Sequence, residues 1–359
     1  SNRLNISSKP KKILYLYSEI MGYTIATLRC LIELGCEVHL VYWDHKKLAK
    51  YDIIEIKGLK KYPRSSLSQK SLLKLSNDIQ PDITLLSGWM DKDYLNVAKS
   101  LKLKNKYVIC GIDNHWEMSL KNNLFKIFLK SRIFSKYFSH CLVPGSLQFE
   151  YVKRLGIKNN QIIYEGYSAD TKHFQSIFND TIESKKNHYP HNFIFLGRLS
   201  KEKGLHILID AWNRLKTVKH DWKLTLIGNG DLRYDLEGIN DLKIKDFIQP
   251  DFLKNEIQDA GCFILPSIKE PWGVVVHEFS AAGLPMIISD KVGAKSTFLI
   301  NNFNGYDFKS GNSDSLRDKM LKIINLSDKA LYQMGTNSNS ISNRISSETS
   351  AYQILSVLK

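Results

Sequence analysis

The chain has no apolar run approaching the ~20 residues that a membrane-spanning helix needs, so it reads as a protein not integral to a membrane. Its first residues are polar and carry no signal-peptide pattern, and Ser1-Asn2 is compatible with an expression scar. No Cys-x-x-Cys spacing occurs. The five cysteines, Cys30, Cys36, Cys110, Cys141 and Cys262, are odd in number, and four lie in apolar segments. That argues against a zinc ribbon or a disulfide scaffold and for reduced, buried thiols in a cytoplasmic protein. There is no complete Gly-x-Gly-x-x-Gly with an acidic residue on the next strand, so a dinucleotide fingerprint is missing. RNP-like aromatics, zinc spacing and a helix-turn-helix pattern are also missing, which leaves the basic character alone to speak for nucleic acid.

What is present is length, apolar content and an uneven charge. A chain of 359 residues with 43% hydrophobic side chains has material for two domains with buried cores. The formal net charge is +15; residues 1–174 hold 28 Lys and Arg against 15 Asp and Glu, and the rest hold 23 against 21. Residues 118–149 contain no acidic residue, and Lys121, Lys126, Lys130, Arg132 and Lys136 alternate there with Phe125, Phe128, Phe134, Tyr137 and Phe138. Such a stretch is either an amphipathic helix with a solvated lysine face or a contact for an anionic surface or phosphorylated ligand. The asymmetry between the halves favours an anionic partner.

Apolar strand candidates alternate with helical segments. In the first half they are Ile13–Tyr17, Val38–Tyr42, Ile83–Ser87, Tyr107–Ile112, Cys141–Val143 and Ile162–Glu165; in the second, Phe193–Leu196, Leu224–Ile227, Phe247–Ile248, Cys262–Leu265 and Met286–Ser289. This alternation predicts an α/β protein with two doubly wound, Rossmann-like domains facing a central cleft, with ligands at the carboxyl ends of the strands. The expected boundaries are 1–174 for the first domain, 175–191 for a polar linker, 192–345 for the second domain, and 346–359 for a C-terminal helix that packs back on the first.

Three segments of the second half carry the chemistry. Gly197-Arg198 with Lys203-Gly204 follows the first strand and places a guanidinium fork and an ammonium near a helix start, where a diphosphate would lie. Gly228-Asn229-Gly230 follows the second strand; alone it is a turn, or a place where a ligand approaches the backbone. Pro266-Ser267 then leads to Glu270, Trp272-Gly273, Glu278 and Gly283-Leu284-Pro285. One carboxylate sits on a loop at the end of a strand and the other one turn into the next helix, with free helix amides between them.

In this order the three segments resemble the family 4 retaining glycosyltransferases of the GT-B fold (glycosyl transferases group 1). The likeness covers most of the second domain, including Asn304-Gly305-Tyr306, and more weakly Pro81-Asp82-Ile83 and Asp170-x-x-x-Phe174. It implies a donor-binding second domain and an acceptor-binding first domain. Arg198 and Lys203 would neutralise the donor diphosphate, Glu278 would accept from the ribose diol, and Glu270 would hold hydroxyls of the transferred sugar. The amides of Trp272, Gly273, Val274 and Val275 would bind hydroxyls or phosphate, with Gly228 and Gly22 close to the donor. His115 would point at the reacting sugar; with Glu270, Arg198 and Lys203 it makes up the expected catalytic set. Asp113 and Trp89 are candidate acceptor contacts. No metal and no cofactor are implied beyond the co-substrate, a nucleotide-diphosphate sugar, of which a UDP-sugar is the expected form. Asp91-Lys92-Asp93 has the spacing of metal-using enzymes but reads as a solvated loop in the wrong domain.

The expected activity is retaining transfer of a hexosyl or N-acetylhexosaminyl unit to a glycan or lipid-linked acceptor, in cell-surface polysaccharide or glycolipid synthesis. The enzyme would be cytoplasmic, with peripheral contact to the inner membrane face through its basic domain. The chain departs from the family where a Gly-Gly pair is usual after the first strand (only Gly22 is present), where Gln249-Pro250 follows the base-binding strand, and where Gly293-Ala294-Lys295-Ser296 replaces Gly-Gly and a glutamate. A sugar-nucleotide epimerase of related fold and a basic nucleic-acid-binding protein are the alternative readings.

Overall fold

The computed structural model describes residues 9–44, 56–113 and 133–358. These fall into two units: residues up to Ser168 together with Ile345–Lys359, and Ala169–Arg344. In the first, seven strands form one parallel sheet. They are β1 (Lys12–Tyr17), β2 (Glu37–Tyr42), β3 (Lys60–Pro63), β4 (Ile83–Leu86), β5 (Tyr107–Gly111), β6 (His140–Leu142) and β7 (Ile162–Ile163). Their order is β3-β2-β1-β4-β5-β6-β7. In the second unit, β8 (Asn192–Leu196), β9 (Lys223–Ile227), β10 (Leu242–Lys245), β11 (Cys262–Leu265), β12 (Met286–Ser289) and β13 (Gly305–Phe308) form a parallel sheet in the order β10-β9-β8-β11-β12-β13. Each order reverses once, between β1 and β4 and between β8 and β11. In such sheets ligands bind at that reversal, outside the carboxyl ends of the strands.

The strands are near-continuous apolar runs because helices cover both faces of each sheet. In the first unit alternate residues serve opposite faces. Leu14, Leu16, Val41, Leu86, Val108 and Cys110 pack on one side. Tyr15, Tyr17, Leu40, Ile83, Leu85 and Ile109 pack on the other, where Ala351, Ile354 and Val357 from the C-terminal segment join them. The helix Ser347–Leu355 is capped by Ser346, whose Oγ accepts from the Thr349 amide. Cys30, Cys110, Cys141 and Cys262 are buried cysteines outside any disulfide, and Cys36 is half-buried.

Four expectations differ from the structure. Residues 175–191 are not an irregular linker: Thr171–Asn187 is a helix, capped by Asp170, burying Phe174, Ile177, Thr181 and Lys185 at helical spacing. Half of that buried stripe is polar, so the sequence pattern does not mark it as helical. Lys185 is buried because its Nζ donates to the carbonyls of Ile257 and Ala260 at 2.7 and 2.8 Å, and burial pushes its pKa down to about 7. The third strand of the second sheet is Leu242–Lys245, not Phe247–Ile248; it is an edge strand with apolar and lysine residues alternating, and Phe247 is exposed. Lys60–Pro63 was not expected as a strand; it is an edge strand ending at a proline, a position where polar residues are favoured. Asp91-Lys92-Asp93 is not a solvated loop. The Asp91 carboxylate caps the helix Lys92–Leu103, accepting from the Asp93 and Tyr94 amides, and Arg64 pairs with both aspartates.

His191, just ahead of β8, ties the second unit together at the amino ends of its strands, opposite their carboxyl ends. Its Nδ1 lies 2.8 Å from Asp221 and its Nε2 2.8 Å from Asp328, and the ring stacks on Trp222 at 5.1 Å. Burial alone lowers its pKa, but the hydrogen bonds to Asp328 and Asp221 outweigh this and the net shift is upward. A raised histidine pKa contributes stability that is complete below the unfolded value near 6.5 and disappears as pH rises through the folded value. The stability difference between the wild type and His191→Gln, measured by urea unfolding, is therefore expected to be larger at pH 6 than at pH 9.

Candidate functional site

The loops after β8 and β11 meet at the reversal point of the second sheet. Gly204 makes the meeting possible: its φ is +72°, and a Cβ there would lie 1.9 Å from the Pro266 carbonyl oxygen. The Ile268 amide donates to the Glu202 carbonyl at 3.0 Å, so the two loops are also hydrogen-bonded. This brings Lys203 beside Glu270. Lys203 Nζ donates to Glu270 Oε2, and the fully buried Ser267 Oγ donates to the same oxygen at 3.2 Å. The loop after β12 holds the Glu270 backbone, its amide donating to Lys291 and its carbonyl accepting from Gly293 at 3.2 and 3.0 Å. Glu270 is thus positioned by three loops, and its Oε1 has no partner among the described residues.

The other expected donor contacts fall around this point. Arg198 is exposed, and its guanidinium has no hydrogen bond or ion pair among the described residues. The helix Val274–Ala281 starts after Gly273, whose φ is +88°, with no side-chain cap and no acidic residue in its first turn. The first bonded amide there is that of Val276, to the Gly273 carbonyl at 3.0 Å; the amides of Gly273, Val274 and Val275 have no acceptor among the described residues. An uncapped helix start of this kind attracts anions and hydroxyl oxygens. Trp272 is buried, its carbonyl accepting from Ala294 at 2.8 Å and its ring packing edge-on against Phe298.

Glu278, one turn into the helix, is buried. Burial, and then the charge of Asp170, push its carboxyl pKa up to about 7. The neighbouring His277 has a structural task. Its Nδ1 accepts from the Ala169 amide and its Nε2 lies 3.0 Å from the Ser342 carbonyl, which fixes a neutral ring protonated at Nε2, stacked on Phe298. Gly228 and Gly230 are needed for loop packing: a Cβ would meet the carbonyl oxygens of Gly197 and Leu199 at 1.9 and 2.3 Å. Asn304 is buried, donating to the Phe298 carbonyl and to Ser338 Oγ.

In the first unit, Gly22 opens the helix Gly22–Glu33, which has no side-chain cap. Trp89 is half-buried and packs against the core of that unit. Asp113 is exposed, its carbonyl accepting from Gln148 at 3.2 Å. His115 lies outside the described residues. Of the basic-aromatic stretch, Phe134 and Phe138 are core residues and Lys136 is exposed. Two residues that motif reading left unassigned belong with the site: Ser267, beside Glu270, and Asp170, near Glu278.

Two Rossmann-like parallel sheets, with an ion-paired carboxylate and an uncapped helix at the reversal of the second, place the chain in the GT-B class. Comparison with known proteins agrees. Residues 177–340 match the model of the family described as Glycosyl transferases group 1. It is 24% identical over 350 residues to the capsular polysaccharide biosynthesis glycosyltransferase CapM of Staphylococcus aureus, covering 88% of each chain. It is 31% identical over 157 residues to an uncharacterised glycosyltransferase of Methanocaldococcus jannaschii, covering 39% of this chain and only 40% of that one. Among solved structures, Anabaena HepE in complex with UDP and glucose superposes with a TM-score of 0.73 at 15% identity, over 98% of this chain and 99% of that one. Sucrose-phosphate synthase of Thermosynechococcus elongatus gives 0.75 at 16% identity, over 98% of both.

Two outcomes are expected. Gly204→Ala combines a disfavoured φ with a backbone clash and should lower unfolding stability by about 3 kcal/mol or more, checked by urea denaturation. For Glu278 the folded state keeps its proton up to about pH 7 while the unfolded carboxyl loses it near 4.3, so wild-type stability falls as pH rises between these values. Glu278→Gln should therefore be more stable than the wild type by up to about 3 kcal/mol at pH 8 and about equal to it at pH 4.

Proposed function

We propose that the chain is a retaining, metal-independent glycosyltransferase using a nucleotide-diphosphate sugar, a UDP-sugar in the first instance. One observation carries the reading. At the reversal point of the second sheet, a carboxylate, a lysine bonded to it, and an exposed arginine and three helix amides without partners among the described residues lie on adjoining loops. Glu278 takes the ribose diol, Lys203 and Arg198 the diphosphate, and Glu270 with the Gly273–Val275 amides the sugar. That HepE is described in complex with UDP and with UDP-glucose supports the choice of base.

In the proposed reaction the bond between the anomeric carbon and the β-phosphate oxygen breaks. The acceptor oxygen bonds to that carbon on the same face, and the acceptor's proton passes to the departing phosphate. The protein's contribution is orientation and charge: Arg198 and Lys203 stabilise the leaving diphosphate, supplying the positive charge that a divalent cation brings elsewhere. His115 is assigned to the reacting sugar on the family resemblance, Asp113 as an alternative polar contact beside it, and Trp89 to the acceptor as an aromatic face suited to stacking on a sugar.

The names of similar proteins, among them CapM and a Salmonella typhimurium lipopolysaccharide N-acetylglucosaminetransferase, support a hexosyl or N-acetylhexosaminyl unit and a glycan or lipid-linked acceptor in surface polysaccharide synthesis. The basic first half is assigned to peripheral contact with an anionic, cytoplasmic membrane face. Among the described residues no helix is long and apolar enough to cross a membrane.

Thermal-shift measurements with UDP, GDP and ADP test the donor. UDP is expected to raise Tm most, because a ligand bound only by the folded state stabilises it in proportion to occupancy. Glu270→Ala and Arg198→Ala should each cut transfer on the order of 100-fold or more with circular dichroism unchanged. Wild-type rates in both variants would refute the site.

A further inference from the structure

Glu270 has two carboxylate oxygens in unequal circumstances. Oε2 receives Lys203 Nζ and Ser267 Oγ, whereas Oε1 receives nothing among the described residues. With Oε2 committed to two donors, the open lone pairs of the carboxylate that face a ligand are those of Oε1. The two donors on Oε2 also differ. Lys203 is part-exposed on a flexible stem and has three protons, so it can turn toward a phosphate. Ser267 is fully buried, and its one proton is already placed on Glu270. Its segment is fastened on both sides. The Pro266 carbonyl packs against Gly204, and the Ser310 hydroxyl donates to the Ile268 carbonyl at 3.1 Å. A diphosphate that draws on Lys203 leaves Ser267 as the fixed donor to Oε2.

We propose that Ser267 is a positioning residue: it holds the Oε2 edge of Glu270 while Lys203 engages the donor diphosphate, so that Oε1 stays aimed at the transferred sugar. The assignment rests on the donor-binding reading above. It makes Lys203 the link between the sugar and phosphate contacts and Ser267 the element that keeps the sugar contact in register when that link shifts.

The test compares calorimetric affinities for UDP with those for UDP-glucose, UDP-galactose and UDP-N-acetylglucosamine, using the full chain and whichever sugar nucleotide the wild type binds best. In Ser267→Ala, UDP affinity is expected to stay unchanged while that sugar nucleotide binds about tenfold more weakly, the scale of one hydrogen bond to a charged group. Ser267→Thr, which keeps the hydroxyl, should restore most of the loss. In the Glu270→Ala background, adding Ser267→Ala should change nothing further, because coupled residues are not additive. Should Ser267→Ala not fold, Ser267→Cys keeps the volume with a weak donor and is expected to show the same selective loss. Sugar-nucleotide affinity within about twofold of wild type in the folded variant, or losses that multiply in the double variant, would overturn the proposal. Failure of the wild type to bind UDP or any of the three sugar nucleotides would overturn the donor-binding reading and the proposal with it.

Discussion

The site depends on the packing of two loops at the reversal point of the second sheet. Where Gly204 lies against the Pro266 carbonyl, the lysine after β8 and the glutamate after β11 come into contact, and their ion pair is half-buried rather than solvated. A pair of this kind adds little to stability when exposed, and its value here is geometric. Lys203 and Ser267 occupy one oxygen of the Glu270 carboxylate and, among the described residues, leave the other open, while the loop after β12 holds the Glu270 backbone. The surrounding glycines serve the same end: Gly228 and Gly230 let the loop after β9 press on the loop after β8.

Around that centre the protein keeps groups that folding alone does not favour. Glu278 is a carboxyl in a buried setting that pushes its pKa to about 7, and the helix Val274–Ala281 begins without a cap although capping is worth about 1 kcal/mol. Several other buried polar groups of the same unit are satisfied: Lys185 donates to two carbonyls, His277 is bonded through both nitrogens, and Asn304 donates from its side chain to two partners. Stability given up at two places on one short helix, its uncapped start and its buried carboxyl, is the pattern of a binding site.

Much of this was legible in the sequence. Central strands such as Ile83–Leu86 and Cys262–Leu265 are apolar because both faces are covered, so they announce themselves. The edge strands Lys60–Pro63 and Leu242–Lys245 are half-solvated and do not. The helix Thr171–Asn187 was hidden because Lys185 and Thr181 occupy its buried stripe, and no local pattern tells a buried lysine from a solvated one. In the site, the spacing of Glu270 and Glu278 across a helix start was readable. The contact between Gly228 and the Gly197 carbonyl was not, because it joins residues 31 apart and looks like a ligand-facing turn in one dimension. Ser267 stood inside the motif without a role, since only the fold shows which oxygen its hydroxyl meets.

The account turns on Lys203 joining the sugar and phosphate contacts of one donor. A crystal structure of the complex with UDP-glucose tests this most directly. The expected result is a diphosphate oxygen within hydrogen-bond distance of Lys203 Nζ, the ribose diol on Glu278, and glucose hydroxyl contact on Glu270 Oε1 with Ser267 still on Oε2. A diphosphate bound away from Lys203, or a Glu270 carboxylate turned from the sugar, would contradict it.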